Sequence, residues 1–148
     1  MTVAVWREPV QDAWIDYNGH LSEAYYVLVF GHATDAVMDA VGLDAAYRER
    51  TGASLYTAEA HIRYLGEVQD GDVLEVRSSV IGASPTVLWI SHEMSVAGNL
   101  RATEEILGIH VDVAAGAATP LPTEVSQAIE AMLATPPTDV GRRIEVRR

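Results

Sequence analysis

Cysteine is absent from the 148-residue chain, which excludes disulfides, cysteine nucleophiles and thiolate metal sites. Lysine is absent too: all ten basic residues are arginine, set against 21 acidic residues, for a net charge of −11. Four of those arginines (Arg142, Arg143, Arg147, Arg148) crowd the last seven residues, so residues 1–141 carry six arginines against twenty acids, or −14. So acidic a chain is a poor partner for a bare polyanion, and it has no basic stripe with interleaved aromatics, so nucleic acid is not an expected partner. No apolar run approaches the ~18 residues of a membrane span. The start, MTVAVWREPV, lacks the basic and apolar regions of a signal peptide, so a soluble cytoplasmic protein with no membrane partner is expected. A Gly-rich phosphate loop is missing as well. The five histidines (His20, His32, His61, His92, His110) lack the His-x-x-x-His spacing that sets two ligands on one helical face, so no metal is expected. His32 and Asp35 share a helix face but read as a polar stripe.

What is present is a chain 49% hydrophobic, sized for one domain with a full core. The expected division is a domain over 1–135 and a surface tail over 136–148. Val3 to Val10 reads as a strand, and Trp14 to His20, with its Asn18-Gly19 pair, as a loop. Ser22 to Val41 reads as a long helix, with Ser22 as its cap, Glu23 in its first turn and Gly42 past its end. Ala24, Tyr25, Val27, Leu28, Phe30, Ala33, Ala36, Val37, Ala40 and Val41 make it apolar on most sides, so burial on most sides is expected. After a short charged stretch (Leu43 to Thr51) the pattern changes. Ala53–Leu65, Val73–Ile81, Thr86–Val96 and Leu100–Val113 read as long strands joined by short turns, hence an antiparallel sheet. Period two puts Leu88, Ile90, His92, Met94 and Val96 on one face. Pro122–Leu133 reads as a short amphipathic helix. The order implies an α+β domain: about five antiparallel strands wrapped round one long buried helix. Wrapping leaves an edge strand and an uncovered face, so a homodimer or dimer of dimers is expected.

The segment Asp16-Tyr17-Asn18-Gly19-His20 packs a carboxylate, an amide and an imidazole into five residues just before the helix. A helix N-terminus offers unpaired N–H groups and partial positive charge, which suits an oxyanion. A carboxylate beside it can activate water or attack a carbonyl. On local chemistry alone, an Asp and an Asn before a helix equally read as turn formers and caps.

That segment, the helix after it, and His61-Ile62-Arg63-Tyr64-Leu65 followed by Gly71-Asp72 resemble the hotdog-fold thioesterases of the 4-hydroxybenzoyl-CoA thioesterase type, in order and spacing over residues 3–113. The resemblance implies that Asp16 is the catalytic aspartate. Asp-x-Asn-x-His also resembles the catalytic loop of plant acyl-ACP thioesterases, which implies that Asn18 positions the attacking group, that His20 moves protons and that Glu67 is a further carboxylate. The first-turn donors near Ser22 and Glu23 are expected to hold the oxyanion. A closer resemblance, through Glu23-Ala24-Tyr25-Tyr26 and Thr34-Asp35-Ala36 as well, is to the betainyl-CoA thioesterases associated with carnitine dehydrogenase. It implies an acyl-CoA substrate with a quaternary ammonium, for which aromatic rings and carboxylates are suited. Trp14, Tyr25, Tyr56, Trp89 and Glu59 are candidates for that group. Arg63 and Arg101 are candidates for the CoA phosphates, with Arg77 and the basic tail as others. No cofactor is implied, coenzyme A being part of the substrate. Three alternatives stand: a non-catalytic acyl-binding hotdog domain, a thioesterase for another short-chain or aromatic acyl group, and a dehydratase, against which Asp-x-Asn-x-His argues.

Overall fold

In the computed structural model, which describes residues 1–141 and 143–148, the apolar run after Ser22 forms helix α1 (Glu23–Val41). Gly42 ends it in the left-handed conformation, φ 95°, and returns its N–H to the Asp39 and Met38 carbonyls. Tyr26, Val29, Phe30, Ala33, Val37 and Val41 repeat at helical spacing and are buried. Val27 (43% exposed) and Leu28 (42%) lie outside that stripe. The single chain therefore buries one side of α1, not most sides as its composition implies, because the sheet reaches only partway round it.

That sheet runs in the order β1 (Ala4–Pro9), β3 (Val73–Ala83), β4 (Val87–Val96), β5 (Asn99–Asp112), β2 (Ala53–Tyr64), with every pairing antiparallel. A two-residue strand β6 (Ala117–Ala118) adds to β5. The inner face alternates along each strand: Leu88, Ile90, His92 and Met94 on β4 and Ala102, Glu104, Ile106, Gly108 and His110 on β5 are buried, as period two requires. The apolar ones among them, with residues of β3, form two clusters along α1: Leu74, Val76, Met94 and Ala102 on its first half, and Val80, Leu88, Ile90 and Ile106 on its second. The arrangement is the hotdog fold expected from the sequence. A helix α3 (Thr123–Met132) covers the far end through Val125 and Ile129.

One element departs from the sequence reading. The charged stretch after Leu43 forms a seven-residue helix α2 (Ala45–Thr51). Asp44 caps it by accepting from the Tyr47 N–H at 2.8 Å, and Gly52 ends it at φ 69°. The cap was legible, but the helix is too short for apolar periodicity to announce it. β2 is an edge strand, and residues 56–60 in its middle are exposed around a register shift between Thr57 and Glu59.

Two buried histidines tie elements to the sheet, and their neighbours fix their tautomers. Thr34 spends its one hydrogen on the Phe30 carbonyl (3.1 Å), so at 2.9 Å from His92 Nε2 it accepts. His92 is then neutral, and its Nδ1 accepts from the Ser78 hydroxyl at 2.7 Å. His110 donates from Nδ1 to the Thr119 carbonyl (2.7 Å) and accepts from the Tyr47 hydroxyl (2.9 Å), which anchors α2.

Candidate active site

The loop between β1 and α1 hangs from two buried anchors, Trp14 and Leu21. The Ser22 N–H donates to the Trp14 carbonyl (2.9 Å), the Leu21 N–H to the Val68 carbonyl (2.7 Å), and Ile15 pairs with Leu21 as an antiparallel bridge. Between these anchors a tight turn closes. Asp16 N–H donates to the His20 carbonyl (2.9 Å), Gly19 N–H donates to the Asp16 carbonyl (3.0 Å), and Gly19 takes φ 79°, which favours glycine there. One carboxylate oxygen of Asp16 accepts from the Asn18 N–H at 2.8 Å. The carboxylate is thus oriented by its own loop.

Ser22 occupies the N-cap position of α1, but its side chain makes no capping bond. The expected cap therefore fails in its usual role. The consequence is chemical: the Tyr25 N–H goes to the Ser22 carbonyl (3.0 Å), while the Glu23 and Ala24 N–H groups, with no backbone partner among the described residues, keep their capacity to meet an incoming anion. Opposite the loop, the turn after β2 is held by the Leu65 and Gly66 N–H groups, which both donate to the Arg101 carbonyl (2.8 and 3.0 Å). It presents Glu67, whose Oε2 lies 3.1 Å from His20 Nε2.

Asp16, Asn18, His20, Ser22, Glu23 and Glu67 line one open cleft of ≈ 690 Å³. Three carboxylates and one imidazole face each other there. Two tyrosines that the sequence reading left out complete the wall, Tyr26 and Tyr64, with ring centroids 5.1 Å apart and edge-to-face. The Tyr26 hydroxyl donates to the Gly66 carbonyl (3.2 Å) and the Tyr64 hydroxyl to the Glu23 carbonyl (3.3 Å). Burial raises both phenols' pKa values, so both are neutral donors at neutral pH. The signal for them was positional: Tyr26 follows Glu23 by one helical turn, and Tyr64 ends the strand that delivers Glu67.

The other candidates lie elsewhere in the single chain. Trp14 is buried and stacks on Tyr25, centroids 5.4 Å apart, and neither is among the residues lining the cleft. Tyr56 and Glu59 are exposed on the edge strand β2. Arg63 pairs with Asp139 at 3.4 Å on the sheet face away from α1. Arg77 pairs with Glu75 at 2.8 Å, also on that outer face, and Trp89 packs against Gly82. Arg101 runs past Gly66, where a Cβ would stand 3.0 Å from its Cδ, and its Nε is buried with no partner among the described residues. His32 bonds Glu8 on β1 at 2.7 Å. Among the described residues no cluster of His, Asp and Glu forms a metal site, and no helix is long and apolar enough to cross a membrane. The tail touches the sheet where the Gly141 N–H donates to the Glu105 carboxylate (2.8 and 3.0 Å). Arg142 lies outside the described residues.

The family model of the thioesterase-like superfamily matches residues 10–129, a span that contains the whole cleft. The chain belongs to that superfamily. It is 39% identical to a betainyl-CoA thioesterase of Pseudomonas aeruginosa, over 96% of this chain and 94% of that protein. It is 38% identical to an L-carnitine dehydrogenase/betainyl-CoA thioesterase of Rhizobium meliloti, over 78% of this chain but only 24% of that longer protein. Among solved structures, a Pseudomonas putida protein is 34% identical with a TM-score of 0.84, covering 100% of this chain and 99% of its own. A Staphylococcus aureus protein solved in complex with CoA has a TM-score of 0.88 at 23% identity, covering 97% and 94%, and at that identity supports the fold.

The resemblance that implies proton transfer by His20 makes the His20–Glu67 pair testable. His20→Ala is expected to lower kcat/KM on the order of 100-fold, the usual worth of a proton-transfer group. Glu67→Gln, which keeps the shape but removes the charge beside His20, is expected to cost less. Steady-state thiol release measures both, and a Glu67→Gln loss exceeding that of His20→Ala would reverse the assignment.

Proposed function

We propose that this protein hydrolyses acyl-CoA thioesters and that its substrate is betainyl-CoA, giving glycine betaine and CoA. The observation that carries the reaction is the meeting of Asp16, Asn18, His20 and Glu67 in one cleft at an N-terminus of α1 that the Ser22 side chain does not cap. The 39% identity to a betainyl-CoA thioesterase over nearly both full lengths supports the acyl group. The cleft agrees in charge: a ring of carboxylates and two tyrosine faces suits a quaternary ammonium and disfavours an anionic acyl group.

In the proposed reaction the thioester carbonyl oxygen points at the first-turn N–H groups of α1, which meet the negative charge as it develops. Asp16 takes a proton from a water molecule as its oxygen adds to the carbonyl carbon, or adds there itself and is then released by water. Either way the C–S bond breaks: His20, carrying a proton and steadied by Glu67, gives it to the CoA sulfur and is reprotonated by the proton that the attacking water sheds, passed on from Asp16 in the first route and taken directly in the second. Asn18 fixes the Asp16 carboxylate through its N–H. Every step uses water and the chain's own groups. Arg101, whose side chain runs past Gly66 of the cleft wall, is the arginine we assign to the CoA phosphates. Residues 1–135 make up the catalytic unit in this reading, with 136–148 as an appended tail. With CoA as the carrier, we place the reaction in the cytoplasm.

The same reading includes a homodimer through the β2 edge, whose exposed middle and the adjoining bare side of α1 are what a second copy would cover. Tyr56 and Glu59 on that edge would then approach the partner's cleft. A solution mass of twice 16.0 kDa, or an even multiple of it, is expected by light scattering, and a monomer at micromolar concentration would end that part of the proposal. For the reaction, proton NMR of betainyl-CoA with the protein should show free glycine betaine and CoA appearing one to one. Persistence of the thioester would count against it.

A further inference from the structure

Glu67 and His20 meet from two loops, one before α1 and one between β2 and β3, so no helix or strand sets their register directly. Their own contact is too weak to do it. The Glu67 side chain is 69% exposed, and an ion pair open to water contributes little. The residues on either side of Glu67 are instead held from the helix. The Tyr26 hydroxyl of α1 donates to the Gly66 carbonyl at 3.2 Å. The Val68 N–H faces the same hydroxyl oxygen: burial raises the Tyr26 pKa, and this N–H acts against the rise. One hydroxyl thus meets the residue before Glu67 and the residue after it.

The other half of the pair is tied to the same point. Leu21, next to His20, donates its N–H to the Val68 carbonyl at 2.7 Å. Val68 is wholly buried in the cluster around Phe30. Its carbonyl therefore holds the loop of His20, while its N–H faces Tyr26. Tyr26 is itself a firm support. It is only 4% exposed, and its ring meets the Tyr64 ring edge-to-face at 5.1 Å, so close packing leaves its hydroxyl one place to be. The Tyr64 hydroxyl serves a different target, the Glu23 carbonyl in the first turn of α1.

We infer that Tyr26 is a positioning residue for the proposed hydrolysis: its hydroxyl pins the turn of Glu67, so that the carboxylate stays within hydrogen-bond reach of His20. This rests on the proton-transfer reading of His20 and Glu67 above and adds the group that holds the two together. The role needs only the neutral phenol, which donates its hydrogen to Gly66. Without the hydroxyl the ring still fills its place in the core, but the turn is released at Gly66. An exposed carboxylate on a released turn moves toward water, and His20 loses its partner for part of the time. The loss falls on kcat, because the contacts that bind the acyl group and CoA are untouched.

The test is a double-mutant cycle on thiol release from betainyl-CoA. Tyr26→Phe should lower kcat about fivefold, the worth of one ordinary hydrogen bond, and leave KM unchanged. In a Glu67→Ala background the same substitution should change kcat by less than about twofold, because the group it positions is already gone. Tyr64→Phe is the control. Its hydroxyl serves the first turn, so whatever it costs should be the same in both backgrounds. Equal losses from Tyr26→Phe with and without the Glu67 side chain, or wild-type kcat in Tyr26→Phe, would overturn the inference. So would coupling of Tyr64→Phe to Glu67→Ala as strong as that of Tyr26→Phe, which would mean a cleft wall that loosens as a whole. Wild-type kcat in Glu67→Ala would reject the proton-transfer reading of Glu67 itself, and the inference with it. A crystal structure of Tyr26→Phe gives a readout without turnover. The His20–Glu67 contact of 3.1 Å should open beyond hydrogen-bond range, and an unchanged contact would reject the pin.

Discussion

The protein is expected to hold its stability nearly level from pH 6.5 to 4.5 and then to lose about 2 kcal/mol by pH 3 through one histidine. His92 is wholly buried, and desolvation lowers its pKa to about 3, against an ordinary 6.5. Being depressed in the fold, it contributes stability that is complete above pH 6.5 and drains away as pH falls toward 3. Glu104 lies beside it in register, and burial raises its pKa from 4.5 to about 7. Its contribution has the opposite sign: complete below pH 4.5 and lost as pH rises through 7. Each slope is about 1.4 kcal/mol per pH unit, so the two cancel where their windows overlap and His92 alone acts below 4.5. Removing either partner should uncover the other. Relative to wild type, Glu104→Gln should become steadily less stable on going from pH 6.5 to 4.5, and more stable at pH 8. His92→Gln loses packing and its bonds to Ser78 and Thr34, so its absolute stability falls, but relative to wild type it should gain as pH drops. Urea melts at four pH values measure these differences, and carboxylates common to all three proteins drop out of them. Parallel curves for Glu104→Gln and wild type would show that the shifts do not exist.

Asp16→Asn should lower kcat by about 10³-fold or more and leave the melting temperature nearly unchanged. The two halves of this expectation have separate causes. Structurally, Asp16 accepts one N–H from Asn18 and takes part in a turn through its own backbone, and an Asn side-chain oxygen accepts the same N–H. The anchors Trp14 and Leu21 and the Gly19 turn are untouched. Chemically, an amide neither takes a proton from water nor attacks a thioester. Asp16→Ala should lose the same activity, and in addition on the order of 1 kcal/mol of stability with the turn contact. A large melting shift in Asp16→Asn would mean that the carboxylate is there for the loop.

Much of this architecture was legible. Gly42 marked the end of α1, and the alternation of β4 correctly placed His92 among Leu88, Ile90 and Met94 on the inner face. That Asp16, Asn18 and His20 share one cleft was readable because they sit within five residues of one another. Contacts made across long separations were not readable from pattern. Glu67 meets His20 through a turn 47 residues away, and only a family resemblance pointed to it. Trp14 and Tyr25 were candidates for the cationic group, and sequence cannot say that they stack on one another. Glu104 did leave a trace: it falls in phase with Ala102, Ile106 and His110, on the face that period two reserves for the core. A charge in phase with a buried face is a signal that polarity averaged along the strand conceals. The helix α1 misled in the other direction. Its apolar girth is real, but Val27 and Leu28 stay exposed in the single chain, and composition does not say which side of a helix the sheet covers.

The central claim is that the cleft at the start of α1 hydrolyses a thioester through Asp16. Its most direct test is thiol release, followed with a chromogenic disulfide, from a panel of acyl-CoA thioesters by the wild type and Asp16→Asn side by side. The expected result is fast release from betainyl-CoA by the wild type, slower release from neutral and aromatic acyl-CoAs, and near-background release by Asp16→Asn throughout. Wild-type rates in Asp16→Asn, or no release from any member of the panel by the folded protein, would contradict it.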